Sequence, residues 1–468
     1  MPKILASFYE NHNSPKTLIS EGFHESFKGP DSGQQKEPRG YTTVCLDAER
    51  KNNMANENYL RFLSLLMFNR VYDSQTINLY FEDPQKASYY RQKALKNGHI
   101  KKITFTKRER TKHKTDLYSL TKKGLRYFTE HDTIITPQLT MYEASNYLNV
   151  LKRGDLKPER QEKIARDTAA ITLASKAGIS IPVDNYTNSL REISSEEQED
   201  TNASLSDFFQ SSLTDELYQS FGLYENASPD SPMTFHNSSC VKLSAGNANT
   251  YVTSRDYLAG RYSGVIDSHL KSILIYAAPM FGMKWSKWIV EKERNAYRLW
   301  KTSHGVAGTH NSEAVKSDCA ALIVDNPNQF SNLYRDVDKV QMGSEEIFGG
   351  PFKSFYILPL NMNGAKHLRW ILMNNDDTMN AAITNDAIES GSYVRNDRAN
   401  PGLFPLLNAY DQRTALGFQL DAKQMMKIER VALSIPSETF EVLCYDWQVP
   451  YFKSVMPENV VIEGMEAE

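Results

Sequence analysis

The sequence predicts a multidomain α+β chain, with a small basic module of three helices and a β-hairpin followed by an α/β domain. Three observations carry this. Residues 58–128 read helix, helix, helix, strand, charged tip, strand in their apolar spacing and turn residues. The same stretch holds sixteen Lys and Arg against five Asp and Glu, a net of +11 in a chain whose total is −3, so the remainder carries −14. From residue 241 onward, strand-like runs alternate with helical ones, the pattern of an α/β layer.

Residues 1–55 are polar and broken by Gly29-Pro30-Asp31-Ser32-Gly33 and Pro38-Arg39-Gly40, the composition of a flexible arm. Tyr41–Leu46 is a short strand candidate within it. The basic module is placed at 56–130. Its first helix is signalled by Leu60, Leu63, Leu66 and Met67, with Phe62 and Phe68 beside them. A turn at Val71-Tyr72-Asp73-Ser74 leads to a second helix over Gln75–Phe81, with Ser74 as N-cap. Asp83 caps a third helix that opens with Pro84, where proline is tolerated, and runs to Lys96. Asn97-Gly98 supplies positive-φ residues at its end. Strands follow at Ile100–Phe105 and Asp116–Leu120, around the polar run Lys107–Lys114, and Lys122–Phe128 is a closing helix. This is the order of a winged helix-turn-helix.

Residues 131–183 form a helical extension, with helices over 138–152 and 158–177. The second has an apolar face of Ile164, Thr168, Ile171, Leu173 and Ala174, which either completes the basic module or makes a dimer contact. Residues 184–240 are an acidic, Ser- and Asn-rich connector. The α/β domain spans 241–455: a hairpin of Gly264–Ile266 and Ser272–Ala277 turning at Asp267-Ser268-His269, a Trp-bearing helix over 284–301, a strand Ala320–Val324, a helix Gln329–Val337, a strand Ser354–Leu360, a helix Gly364–Met373 and a late strand Phe440–Tyr445. An acidic tail, 456–468, closes the chain. No internal repeat is visible.

A stretch this basic in an otherwise acidic chain is the electrostatic footprint of a phosphate partner. The third helix presents Lys86, Tyr89, Tyr90, Arg91, Lys93 and Lys96, and the tip presents Lys107, Arg108, Arg110, Lys112, His113 and Lys114. A recognition helix carries such side chains into the major groove, and a basic wing follows the backbone. Lys86, Tyr90, Arg91 and Lys93 are the expected groove contacts; Lys107, Arg108, Arg110 and Lys112 are the expected phosphate contacts. A merely solvated tip, or a winged helix used for protein contact, is the bland alternative. A second basic set, Arg255, Arg261, Lys271, Lys284 and Lys287, either extends the DNA path or balances nearby acids.

Other chemistries find little support. Cys45, Cys240, Cys319 and Cys444 are far apart, and His304, His310 and Cys319 lack zinc spacing. There is no P-loop, no G-x-S-x-G elbow and no His-x-His pair, so Tyr89-Tyr90 reads as helix surface and core rather than as a DNA nucleophile. A metal-dependent nuclease needs an acid on one strand and a D/E-x-K triplet on the next. Acids are present at Asp256, Asp267, Glu291, Glu293 and Asp325, but the triplets Glu49-Arg50-Lys51, Asp155-Leu156-Lys157 and Asp421-Ala422-Lys423 are poorly placed for them. No catalytic residue, metal ligand or cofactor is assigned. No signal peptide or membrane-spanning apolar run is read, and a reducing cytoplasm is expected.

Several short motifs together resemble the replication-relaxation family of plasmids and conjugative elements of Gram-positive bacteria. They are Leu120-Thr121-Lys122-Lys123-Gly124, Ala174-Ser175-Lys176-Ala177-Gly178-Ile179, Tyr251-Val252-Thr253-Ser254-Arg255, Arg261-Tyr262-Ser263-Gly264-Val265-Ile266, Tyr276 and Met283-Lys284-Trp285. The resemblance implies a DNA-binding protein in plasmid replication or mobilisation, with a C-terminal domain related to restriction-endonuclease-like folds. The expectation is therefore a duplex-DNA-binding accessory protein of a mobile element, partnered by a relaxase, a replication initiator or a second copy of itself. A winged-helix-targeted nuclease and a transcriptional regulator are the alternatives.

Overall fold

The computed structural model describes residues 58–63, 66, 71–104, 116–131, 158–179, 233–237, 262–268, 270–278, 317–338, 352–396, 405–411 and 413–466. All belong to the unit Ala55–Glu468. The expected arm, the tip Lys107–Lys114, the helices over 138–152 and 284–301 and nearly all of the acidic connector lie outside the described residues. What is described is a mixed α+β structure with three sheets.

The first sheet is small: β1 (Tyr72–Asp73), β3 (Asp116–Leu120) and β2 (Ile100–Thr104), antiparallel in that spatial order. Residues 58–63 are helical, and α1 (Ser74–Phe81), α2 (Pro84–Lys96) and α3 (Lys122–His131) complete the module. The N-cap of α1 is Asp73 rather than Ser74: its carboxylate accepts from the N–H groups of Gln75 and Thr76 at 2.8 and 2.9 Å. The expected turn at 71–74 thus contains a two-residue strand that ends in a cap. Asn97 stays in the right-handed helical region, and only Gly98 takes a positive φ.

The Leu120–Gly124 motif is a lock. Thr121 Oγ1 lies 2.7 Å from the Gly98 carbonyl oxygen and accepts from the N–H of Gly124 at 3.0 Å, joining the end of α2 to the start of α3. A Cβ on Gly124 would stand 2.0 Å from the His99 carbonyl oxygen, so no larger residue fits without moving backbone.

Helix α4 (Pro158–Lys176) is buried almost continuously from Thr168 to Ser175. It packs on α1 and β1, on β5 (Tyr262–Asp267) and β6 (Lys271–Ala277), and on α6 (Met362–Met373). Each fully buried Leu or Ile such as Ile171 and Leu173 contributes about 1.5–3 kcal/mol. The helix is therefore an internal strut, not a dimer face. At its end Ile179 N–H donates to the Ala174 carbonyl at 3.1 Å, and Lys176 Nζ pairs with Glu82, just after α1, at 2.6 Å.

The second sheet has the order β4 (Thr234–Asn237), β5, β6, β7 (Ser317–Val324), β8 (Phe355–Pro359); its first two pairings are antiparallel and its last two parallel. Its side chains alternate between two faces. Ile273, Ile275, Ala321, Ile323 and Leu358 face α4 and α6, whereas Leu274, Leu322 and Ile357 face α5 (Pro327–Asp338) and α8 (Ala422–Ser434).

The third sheet runs β9 (Tyr393–Arg395), β10 (Leu406–Asn408), β11 (Thr414–Gly417), β12 (Phe440–Tyr445), β13 (Val460–Met465), again two antiparallel pairings and then two parallel. Helix α7 (Asp376–Glu389) covers one face through Ile383 and Ala387, and α8 with α9 (Val449–Lys453) covers the other. Residues 460–465, expected in an acidic tail, are an edge strand in register with all of β12. The second and third sheets are stitched at β8: Ile357 N–H donates to the Leu420 carbonyl at 2.9 Å, and Phe355 N–H to the Asp421 carboxylate at 3.0 Å.

Candidate nucleic-acid interface

Helix α2 starts at a well-made cap. Asp83 Oδ1 accepts from the N–H groups of Gln85 and Lys86 at 2.8 and 3.3 Å, and Pro84 occupies a position that has no N–H to satisfy. The helix then divides lengthwise. Ala87, Tyr90 and Ala94, at helical spacing, are buried in the module core. Gln85, Lys86, Tyr89, Gln92 and Lys96 are exposed, Lys93 is half-buried, and no Asp or Glu occurs in the helix.

This division corrects one expected groove contact. Tyr90 is only 6% exposed; its ring stacks on Phe81 with centroids 5.2 Å apart and lies 6.2 Å from Tyr59. Successive helical residues point about 100° apart, so its neighbour Tyr89 turns outward and is 57% exposed. Arg91 is half-buried, with its guanidinium 5.5 Å from the centre of the Tyr118 ring on β3. Lys93 Nζ stands 4.6 Å from the centre of the buried Tyr59 ring and 6.0 Å from that of the exposed Tyr89, a cation held against the aromatic cluster. Lys86 and Lys96 reach solvent. Sequence reasoning, weighted toward cations, passed over the exposed amides of Gln85 and Gln92 on the same side of the helix, a side-chain type suited to adenine edges.

Behind α2, Tyr59 OH and His99 Nδ1 are 2.8 Å apart. Burial pushes Tyr59 up to about 12, and burial, then the charges of Lys123 and His131, lower His99. Both groups stay neutral at pH 7. On the hairpin, Lys102 is neutralised by Asp116 at 2.6 Å. The expected tip contacts Lys107, Arg108, Arg110, Lys112 and Lys114 lie outside the described residues.

Among the described residues, the acids weighed for nuclease chemistry do not assemble. Asp267 ends β5 and accepts from Ser272 Oγ at 2.6 Å. Asp325, just past β7, lies near Gln329 (Nε2 to Oδ2 3.4 Å) and is raised to about 7 by burial and then by the Asp73 carboxylate. Asp421 caps α8 through the Lys423 N–H at 2.9 Å, while Lys423 Nζ donates to the Phe352 carbonyl at 2.6 Å. Its Asp-x-Lys triplet is thus a helix start, not a strand pair, and burial raises the carboxyl to about 6. Among the described residues no group of three or more His, Cys, Asp and Glu side chains is placed to hold a metal ion. Asp256, Glu291, Glu293, His304 and His310 lie outside them.

Of the second basic set only Lys271 is described. It is 1% exposed and pairs with Asp376 at 2.6 Å, with Tyr356 OH 3.0 Å away, so it balances an acid and extends no DNA path. Burial alone would raise Asp376, but hydrogen bonds from Lys271, Ser354 and Tyr356 hold it below the usual carboxylate range.

Compared with known proteins, the chain matches no family model, no curated protein and no solved structure. Among the described residues no helix is long and apolar enough to cross a membrane.

Proposed function

We propose that this chain binds duplex DNA, with the N-terminal module acting as a winged helix-turn-helix and α2 as its recognition helix. The observation that carries the reading is the acid-free outer stripe of α2, in which Gln85, Lys86, Tyr89, Gln92, Lys93 and Lys96 share a surface while Ala87, Tyr90 and Ala94 fix the helix from behind. That stripe combines point charges for phosphates with amides for base edges. The element order supports it too: helix, β1, α1, α2, β2, β3, with β1 adding a third strand to the hairpin. The wider role, an accessory factor in replication or mobilisation of a mobile element that works beside a relaxase, an initiator or a second copy, rests on the short motifs of the resemblance. So does kinship of the C-terminal part with restriction-endonuclease-like folds. Magnesium-dependent cleavage of plasmid DNA, lost on changing Asp325 or Asp267, would mark the nuclease alternative. A promoter rather than an origin as the bound site would mark a transcriptional regulator.

The test is a duplex DNA titration over a salt series, comparing the wild type with the triple variant Lys86→Ala/Lys93→Ala/Lys96→Ala. Wild type should lose affinity steeply with salt, and the variant's log–log slope should flatten by about 0.9 for each phosphate contact removed. A wild type that fails to bind at low salt, or a variant with an unchanged slope and affinity, sinks the proposal.

A further inference from the structure

The third sheet ends in a cleft that the DNA-binding reading does not use. Helices α7 and α8 cover opposite faces of this sheet, so they part above the carboxyl end of β11. Ligands of α/β sheets are held at such openings beyond the strand ends. The opening here encloses about 440 Å3, within the range of small-ligand sites. Leu416 and Gly417, at the end of β11, line it, as does Pro405, the residue before β10. Gly417 is required by the close approach of α7: a Cβ there would lie 2.8 Å from Ile383 Cγ2.

The chemistry of the walls is one-sided. Arg395, from the end of β9, and Lys427, from α8, both line the cleft, and no Asp or Glu does. Neither cation makes an ion pair among the described residues, in contrast to Lys102, Lys163, Lys176, Lys271 and Arg413, which all do. Asn380, Thr384, Asn385 and Gln424 line the same cleft. The Asn380 side-chain oxygen is engaged by the Gln419 N–H at 3.4 Å, which leaves its NH2 group to donate. Asn385 and Gln424 make no side-chain hydrogen bond among the described residues. Gln419 itself, two residues beyond Gly417, is 2% exposed with both side-chain polar atoms unpartnered there. Two unpaired cations and unspent amide donors lining one cleft, with no acid in its lining, form a receptor for an anion that also offers polar groups. The volume exceeds what a lone carboxylate fills.

We propose that this cleft binds the phosphate of a nucleotide, with Arg395 and Lys427 as its charge partners and the Asn380, Asn385 and Gln424 amides as donors to phosphate, sugar or base. Arginine and lysine bracketing a phosphate give charge-assisted hydrogen bonds, the strong kind. The source is either a free mononucleotide or a nucleotide within a strand. The inference is independent of α2.

Calorimetric titration of the full chain with inorganic phosphate, adenosine 5′-monophosphate and a ten-nucleotide single strand tests this. The strand is titrated into the α2 triple variant, so that α2 contributes least. At least one probe should bind, and Arg395→Gln/Lys427→Gln should weaken it tenfold or more with an unchanged thermal midpoint, since both side chains are exposed. Mononucleotide binding identifies a free ligand; binding of the strand alone places the phosphate in nucleic acid. The proposal is overturned if no probe binds at about 1 mM, if the double variant binds as well as its parent, or if mononucleotide binding is lost on changing α2 instead.

Discussion

The second and third sheets share one plan and solve one problem differently. In both, five strands lie in chain order, with two antiparallel pairings followed by two parallel ones. In both, a strand buries a charge: Lys271 on β6 and Glu441 on β12, each 1% exposed. Lys271 is met by an opposite charge, Asp376, assisted by Tyr356 and Ser354. Glu441 takes its hydrogen bonds from neutral donors, Tyr393 OH at 2.9 Å and Asn408 Nδ2 at 3.1 Å, and the Arg413 charge acts on it without an ion-pair contact. Asp376 is the first residue of α7, the helix that covers the other sheet, whereas Tyr393 and Asn408 belong to Glu441's own sheet. An ion pair joins two layers in the first case; a hydrogen-bonded carboxylate closes one layer in the second.

Breaking the pair should have the largest effect. Lys271→Met strands a carboxylate and should cost about 3–5 kcal/mol in urea unfolding, and adding Asp376→Leu should recover most of it. A double variant no better than the single would mean that packing, not charge, carries the site. Tyr393→Phe removes one of two neutral donors and should cost less, about 1–3 kcal/mol. If it matches Lys271→Met, the two solutions are equivalent and the contrast fails.

A smaller, pH-dependent effect sharpens the comparison, because Asp325 gives the second sheet a titrating end. Its folded-state value of about 7 lies above that of an unfolded aspartate, about 3.9, so the folded chain holds the proton more tightly. Below about pH 4 the carboxyl is neutral in both states. Its ionisation lowers stability as pH rises from there to about 7, and the loss then levels off. Asp325→Asn should therefore stabilise the chain at pH 8 by about 1 kcal/mol, discounted for partial exposure, with the gain shrinking toward pH 4. A pH-independent gain would assign the effect to packing.

What the sequence disclosed follows how local each signal is. Asp83 and Pro84 mark the start of α2 and Gly98 its end, because caps and turns are set by neighbouring residues. Phe440–Tyr445 was legible as a strand because its residues other than Glu441 are apolar or aromatic, but β9 and β10, three residues each, are too short for alternation to register. Val460-Val461-Ile462 was hidden by Glu458, Glu463 and Glu466 around it. The shared plan of the two sheets left no trace, since pairing order constrains the backbone and not residue identity. At the interface, the cations of α2 were visible from composition, but which of Tyr89 and Tyr90 faces outward depends on where Phe81 and Tyr59 sit. The partner of Lys271 is 105 residues away, beyond any local pattern.

The buried strut α4 sets where this chain tolerates being cut. Val71, Leu117 and Ile103 of the N-terminal module pack against Ala165 and Ile164 of α4, and Lys176 holds the residue after α1. A fragment ending at residue 131 would open that apolar seam to water and invite aggregation. A fragment that keeps α4 would in turn bare the face that rests on β5, β6 and α6. The smallest piece that keeps α2 folded is thus not the module that the helix and strand order outlines, and point substitution in the full chain is the sounder way to test α2.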